Sequence, residues 1–174
     1  MIMKNPFNTT FGNIRSIMTT PVAGLICLLL RSSEIVASPV LFPTTGHYYD
    51  YSSDVLTWWN AKAAAETKTF SVGGVLYRGY LATLNTQGEN DFVWNRVSQS
   101  MGWIGASDDG NEGTWRWVTA PGSPVRFWDH GTTITYANWS SGEPNNNTVE
   151  NYAVFGWNAV HPEDDGGLQF QRWD

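Results

Sequence analysis

Residues 142–151 read Gly-Glu-Pro-Asn-Asn-Asn-Thr-Val-Glu-Asn. Glu143 and Asn145 place two hard oxygen donors on either side of Pro144, and Glu150 follows with another carboxylate. Calcium takes roughly six to eight such oxygens from carboxylates, amides and carbonyls. Proline fixes its own φ, and an X-Pro bond prefers trans only weakly. A cis Glu143–Pro144 bond would turn the Glu143 and Asn145 side chains to one side of a tight turn. The stretch reads as a calcium site whose shell a ligand's hydroxyl groups complete. The same residue types also make ordinary surface turns. The triplet alone favours the turn, and its surroundings decide.

Working outward, the chain has 174 residues with 41% hydrophobic and 15% charged content. That is enough for one ordinary domain with a core, and too apolar for a disordered chain. Ten Trp point to a core and loops built from large rings, and seventeen Gly to many turns. Net charge is −6, and no basic patch interleaved with aromatics occurs, which argues against nucleic acid. From Asp108 onward there are ten carboxylates against three Arg, which suits cation binding and equally suits a solvated acidic face. Cys27 stands alone, so neither a disulfide framework nor a Cys-based zinc site is available.

Residues 1–37 have the three-part layout of a secretory signal peptide: Lys4 and Arg15, the apolar run Pro21 to Leu30, and small residues around Ala37. The apolar run falls short of the roughly twenty residues a spanning helix needs. Residues 40–174 are expected to form the domain. Residues 40–53 read as strands with His47 on the surface. Ser53 or Asp54 caps a helix over 55–67, whose buried stripe is Leu56, Trp59 and Ala63. Gly73-Gly74 turns a hairpin. After a short strand at 80–84, Thr86 caps a second helix from Gln87 to about Ser100, with Phe92, Val93, Arg96 and Val97 facing inward. A strand begins at Trp103, and Trp115-Arg116-Trp117 alternates as a half-buried strand does. Residues 119–142 form a long loop of the kind that carries function. Residues 150–157 read as a buried strand, 161–167 as an acidic turn, and 169–174 as the start of another strand.

Taken in order, Gly79-Tyr80-Leu81-Ala82-Thr83, Trp103-Ile104-Gly105, Glu112 through Trp117, Asn138-Trp139, the Glu143-Pro144-Asn145 turn, Glu150 through Val154 and Trp173-Asp174 resemble the landmarks of a C-type lectin-like domain over roughly 46–174. Each is weak singly; the ordered set is strong. The resemblance implies an α+β fold: two helices, small antiparallel sheets and a long ligand-binding loop. It implies calcium ligands at Glu143, Asn145, Glu150 and Asp174, and an auxiliary calcium site at Asp108, Glu112 and Asn146 sharing Glu150. Asn146 stands where an Asp is common, which weakens the auxiliary site. Glu-Pro-Asn resembles the mannose, glucose or N-acetylglucosamine type. Ligand contacts are expected from Glu143, Asn145, Glu150, Asn151 and Trp128.

Two departures stand out. The family's usual cysteines are missing, with Tyr152 at the position of one. The chain ends at Asp174, before the second half of the metal-binding pair after Trp173 and before the C-terminal strand, which leaves an unpaired edge. The expectation is a secreted or cell-surface, calcium-dependent carbohydrate-binding domain and not an enzyme. The alternative is a lectin-like module that binds a cell-surface protein, since fold does not determine function. No carboxylate pair supports a hydrolase.

Overall fold

The computed structural model describes residues 2–4, 39–145, 150–156 and 172–174. Its elements are β1 (Ile2–Lys4), β2 (Val40–Phe42), β3 (His47–Tyr49), α1 (Trp58–Thr67), β4 (Thr69–Val72), β5 (Val75–Tyr80), α2 (Gln87–Arg96), β6 (Gly102–Ser107), β7 (Arg116–Trp117), β8 (Val125–Arg126), β9 (Trp128–Asp129), β10 (Thr132–Thr133) and β11 (Tyr152–Phe155). Three antiparallel sheets result, ordered β2-β3-β1-β5-β4, β11-β6-β7-β8 and β10-β9. This is the expected α+β plan of two helices and small sheets.

The first sheet departs from expectation at one edge. The edge expected to lack a partner is filled: β1 pairs with β3 through Ile2↔Tyr49 and with β5 through Ile2↔Tyr80. The rest of the expected leader lies outside the described residues, as do the acidic turn at 161–167 and residues 169–171.

Helix α1 starts later than expected. Its N-cap is Thr57, whose side chain accepts from the Asn60 N–H, while Asp54 accepts from the Ser52 hydroxyl instead. The later start brings Trp58, Ala61 and Ala65 inward at the i, i+3, i+7 spacing. Trp58, at 3% exposure, is the buried ring and Trp59, at 57%, is outside. The Trp58 Nε1–H donates to the Ile104 carbonyl oxygen at 2.9 Å, tying α1 to β6.

Helix α2 is capped by Thr86 as expected but ends at Arg96. Phe92, Val93 and Val97 pack on the core, while Arg96 is exposed. The deepest residues of α2 are polar: Glu89 and Asn90 are both almost fully buried. Glu89 is a hub. Its carboxylate accepts from His47 Nδ1 (3.1 Å), the Tyr49 hydroxyl (2.9 Å) and the Asn85 N–H (2.8 Å). His47 is therefore buried at the first sheet and not on its surface. Since an ionised carboxylate only accepts, the His47 proton sits on Nδ1. Burial pushes the Glu89 carboxyl up, but the bonds from His47, the Asn85 N–H and Tyr49 outweigh it and hold it below its ordinary 4.5. Burial, followed by the Glu89 charge, raises the Tyr49 and Tyr80 hydroxyls well above the usual tyrosine value.

Gly105 explains why β6 can lie so close to its neighbours. A Cβ there would stand 2.9 Å from the Leu81 carbonyl oxygen and 2.0 Å from Thr119 Oγ1. The bare backbone instead bonds to Ala82 O at 2.7 Å and accepts from the Val118 N–H at 2.9 Å. The main core lies between α2 and the second sheet. It is strongly aromatic, with Trp115, Trp117, Phe127, Trp139 and Trp173 all buried.

The Glu89 hub yields a stability prediction. Glu89→Gln removes a charged acceptor from three donors, and hydrogen bonds to charged groups are worth roughly 1.5–3 kcal/mol. Urea unfolding at pH 7 should show a loss of about 2–4 kcal/mol. A depressed folded pKa contributes stability above the unfolded value, which is lost as pH falls through the folded one. The wild-type advantage over Glu89→Gln should therefore hold above 4.5 and shrink below it.

Candidate functional site

The long loop is pinned by one buried ring. Phe127 has no solvent exposure and stacks on Trp117 at 4.6 Å. Its N–H reaches the Trp115 carbonyl oxygen and its own carbonyl oxygen accepts from Ile134. This anchor makes a small ribbon of β9 and β10 and brings Trp128 beside Trp139, with ring centroids 6.1 Å apart.

Trp173 sets the other wall. Its ring is fully buried and meets Trp117, Phe127, Tyr136 and Trp139 edge-on. Its Nε1–H donates to Asn90 Oδ1 at 2.8 Å. Its backbone donates to Asn138 O and accepts from the Ser140 N–H, while Asp174 exchanges two bonds with Val154. Residues 173–174 thus lie between β11 and the segment that leads into Glu143. Arg172 closes the seam by donating to Asn138 Oδ1 and Trp139 O.

These two anchors frame a cavity of about 330 Å³. Five carboxylates line it: Asp108, Glu112, Glu143, Glu150 and Asp174. Asn145, Trp115, Trp128, Pro144, His130, Gly113 and Gly131 complete the wall. Among the described residues, no Lys or Arg lines it. The Glu143–Pro144 bond is cis. Glu143 accepts from both the backbone N–H and the side-chain amide of Asn145, so the two side chains share one face of the turn.

The charges are under-compensated. Burial, then the Asp174 and Glu150 carboxylates, raise the Glu143 carboxyl to about 7 against the Asn145 N–H, which lowers it. Burial and the Glu112 carboxylate raise Asp108 to about 6, against the bond from the Gly113 N–H. Asp108 is 2% exposed; its Oδ2 holds that N–H at 2.9 Å, and its Oδ1 finds no donor among the described residues. Among the described residues, no three acidic or histidine side chains converge closely enough to hold a metal ion as they stand. The donors are nonetheless of the right kind: hard oxygens, negative, crowded, one of them buried and unbonded. Were a calcium ion to bind here, Glu143, Asn145, Glu150 and Asp174 are the residues that would hold it, with Asp108 and Glu112 in the same wall.

Seven expected residues thus line one cavity: Glu143, Asn145, Glu150, Asp174, Asp108, Glu112 and Trp128. Asn151 is not in its wall; its carbonyl oxygen accepts from the Asp108 N–H at 3.4 Å. Asn146 lies outside the described residues. Sequence reasoning missed His130. Its φ is +42°, its N–H donates to the Gly113 carbonyl oxygen, and Nδ1 pairs with Asp129 at 2.8 Å. Its ring lies over Gly113, where a Cβ would stand 3.0 Å from Cδ2. The signal was Glu112-Gly113-Thr114 paired with His130-Gly131, which only the folded loop brings together.

The sequence model of the Lectin C-type domain matches residues 55–165. Halomucin of Haloquadratum walsbyi is 38% identical over 136 residues, 75% of this chain but 1% of halomucin. A perlucin-like protein of Mytilus galloprovincialis is 30% identical over 66% of this chain and 64% of its own length. Lectin BRA-3 of Megabalanus rosa is 30% identical over 66% of this chain and 60% of its own length. The solved C-type lectin CEL-I from Cucumaria echinata aligns with a TM-score of 0.48 at 22% identity, covering 72% of this chain and 78% of that one. The chain belongs to the C-type lectin domain family. It spans less than two thirds of the length of each of these three relatives.

The Trp173 anchor can be tested apart from binding. Trp173→Phe keeps an edge-on ring but removes the donor to Asn90, and should lower stability by about 1–3 kcal/mol. Trp173→Ala should cost about 3–5 kcal/mol through the cavity it leaves. Equilibrium urea unfolding distinguishes both from a merely peripheral ring, whose loss would change little.

Proposed function

We propose that the chain is a calcium-dependent carbohydrate-binding domain of the mannose, glucose or N-acetylglucosamine type. The observation that carries this reading is the single cavity that gathers Glu143, Asn145, Glu150 and Asp174 with no Lys or Arg in its wall among the described residues. A cation there would offset the burial that raises Glu143 and the Asp174 and Glu150 charges that add to it. Two vicinal sugar hydroxyls would then replace two waters on the ion. Each hydroxyl could donate to a carboxylate and accept from the Asn145 amide. Acceptor at Glu143 and donor at Asn145 would select the hydroxyl stereochemistry, and Trp128 offers a ring at the rim. A relative that carries the name lectin, Lectin BRA-3, supports the class. Affinity for a monosaccharide should be weak, since little apolar area is covered.

Two measurements test this. Calcium at about a hundredfold its Kd should stabilise the fold by roughly 2.7 kcal/mol, read as a rise in melting temperature that EDTA reverses. Retention on immobilised mannose should require calcium and be lost in Glu143→Gln and in Asn145→Asp. Calcium that neither stabilises the fold nor permits retention on any glycan would instead favour a protein-binding module.

We further read residues 1–37 as a secretory leader, which makes the domain secreted or displayed at the cell surface. Among the described residues, no helix is long and apolar enough to cross a membrane. Removal after Ala37 would take β1 out of the sheet and expose the facing edges of β3 and β5. Mass spectrometry of the exported protein should find Ser38 as the first residue; an intact first strand would show that β1 stays in the sheet.

A further inference from the structure

Helix α1 opens with two adjacent indoles of opposite fate. Trp58 is core, and Trp59 leaves 57% of its surface in water. The exposed ring is not loose. It meets Trp58 edge-on at 5.1 Å and Tyr152 at 5.7 Å, while Tyr152 stacks on Trp58 at 4.6 Å. A ring held on its neighbours and open elsewhere is pre-organised for a flat partner.

Polar groups stand beside it. The Tyr152 hydroxyl donates to Asp109 Oδ2 at 2.9 Å, and the Asp109 carboxylate is exposed. An indole face bordered by a hydroxyl and a carboxylate suits a pyranose. The sugar's C–H face would cover the ring, and its equatorial hydroxyls would reach the polar edge. A purely apolar partner would desolvate the Asp109 carboxylate and add no donor to it beside the Tyr152 hydroxyl.

The patch is continuous with the acidic cavity through two strand ends. Tyr152 pairs with Ser107 where β11 meets β6. Beyond that pair, Asp108 and Glu150 turn to the cavity, whereas Asp109 turns back to Tyr152. Neighbouring Cα atoms are about 3.8 Å apart, so one loop carries a carboxylate into each site.

We propose that Trp59, Tyr152 and Asp109 form a second saccharide platform, which binds a further pyranose unit of longer or branched glycans. The platform deepens the carbohydrate-binding reading of the cavity and rests on it for the identity of the ligand class. A monosaccharide in the cavity would not engage it, so it would set preference for chain length.

The test uses the full chain labelled with ¹⁵N. The Trp59 indole N–H signal is identified by its loss in Trp59→Phe. Mannohexaose and methyl α-mannoside are then titrated in calcium and in EDTA. Mannohexaose should shift the Trp59 signal in calcium and, more weakly, in EDTA. Trp59→Ala should lower the ratio of mannohexaose to mannoside affinity about 3- to 10-fold, the range of a well-made aromatic contact. No shift of Trp59 with mannohexaose in either buffer overturns the platform. A signal that moves only with protein concentration marks a self-association face and overturns it too. A Trp59 shift in EDTA without any calcium-dependent retention on mannose would sink the cavity reading while leaving the platform standing.

Discussion

The packing of Trp173 is the interaction on which the rest depends. Its ring is fully buried among four other aromatic side chains, and its Nε1–H reaches Asn90 on α2. Its backbone simultaneously bonds the 138–140 segment, and the next residue bonds β11. One residue therefore joins the helix layer, the second sheet and the long loop. Asp174 follows it directly, so the depth at which the indole seats determines where this carboxylate stands in the cavity. A site placed by a packed ring is held more tightly than one placed by a free loop, because interiors tolerate little displacement.

The aromatic core and the acidic site make opposite demands on the same short segments. Trp115 is buried, yet one face lines the acidic cavity. Asp108 is buried beside it with an oxygen that finds no donor among the described residues. Low polarity around the carboxylates is what raises Asp108 and Glu143 toward neutrality. The same low polarity would strengthen their attraction for a cation once one is present. Repulsion without the ion and attraction with it are two readings of one environment. The one cysteine leaves the core without an internal disulfide, so on the proposed reading a bound ion would add its binding free energy to folding.

Much of this was legible in the residue order. The landmarks that mark the family are the residues whose local geometry has little freedom. Gly105 has no room for a Cβ, and Trp173 is locked on all sides. The Glu143–Pro144 turn has its cis bond, and its side chains share a face. Periodicity failed where two residues of phase mattered. The expected stripe of Leu56, Trp59 and Ala63 put Trp59 inside, whereas the observed stripe of Trp58, Ala61 and Ala65 puts Trp58 there. Hydrophobic pattern was also blind to Glu89 and His47, because a polar cluster that satisfies itself internally looks on the page like surface. His130 was hidden for a different reason: its neighbour Gly113 is close only after the loop closes.

The first sheet carries a related lesson about strand pairing. Strands β3 and β5 do not pair with each other; each bonds to β1, which lies between them. Two edges facing across one strand's width need an extended segment there, and backbone pairing makes few demands on that segment's side chains. The Glu89 hub sits beside this slot through His47 and Tyr49 of β3, while the hydroxyl of Tyr80 on β5 lacks a partner among the described residues. Buried polar groups on both flanking strands restrict how far the slot can collapse. The sheet is thus more tolerant of which segment fills the slot than of its being left empty. The cavity is built on the second sheet and the Trp173 seam, so its carboxylates depend on α2 and the long loop more directly than on which chain segment completes the first sheet.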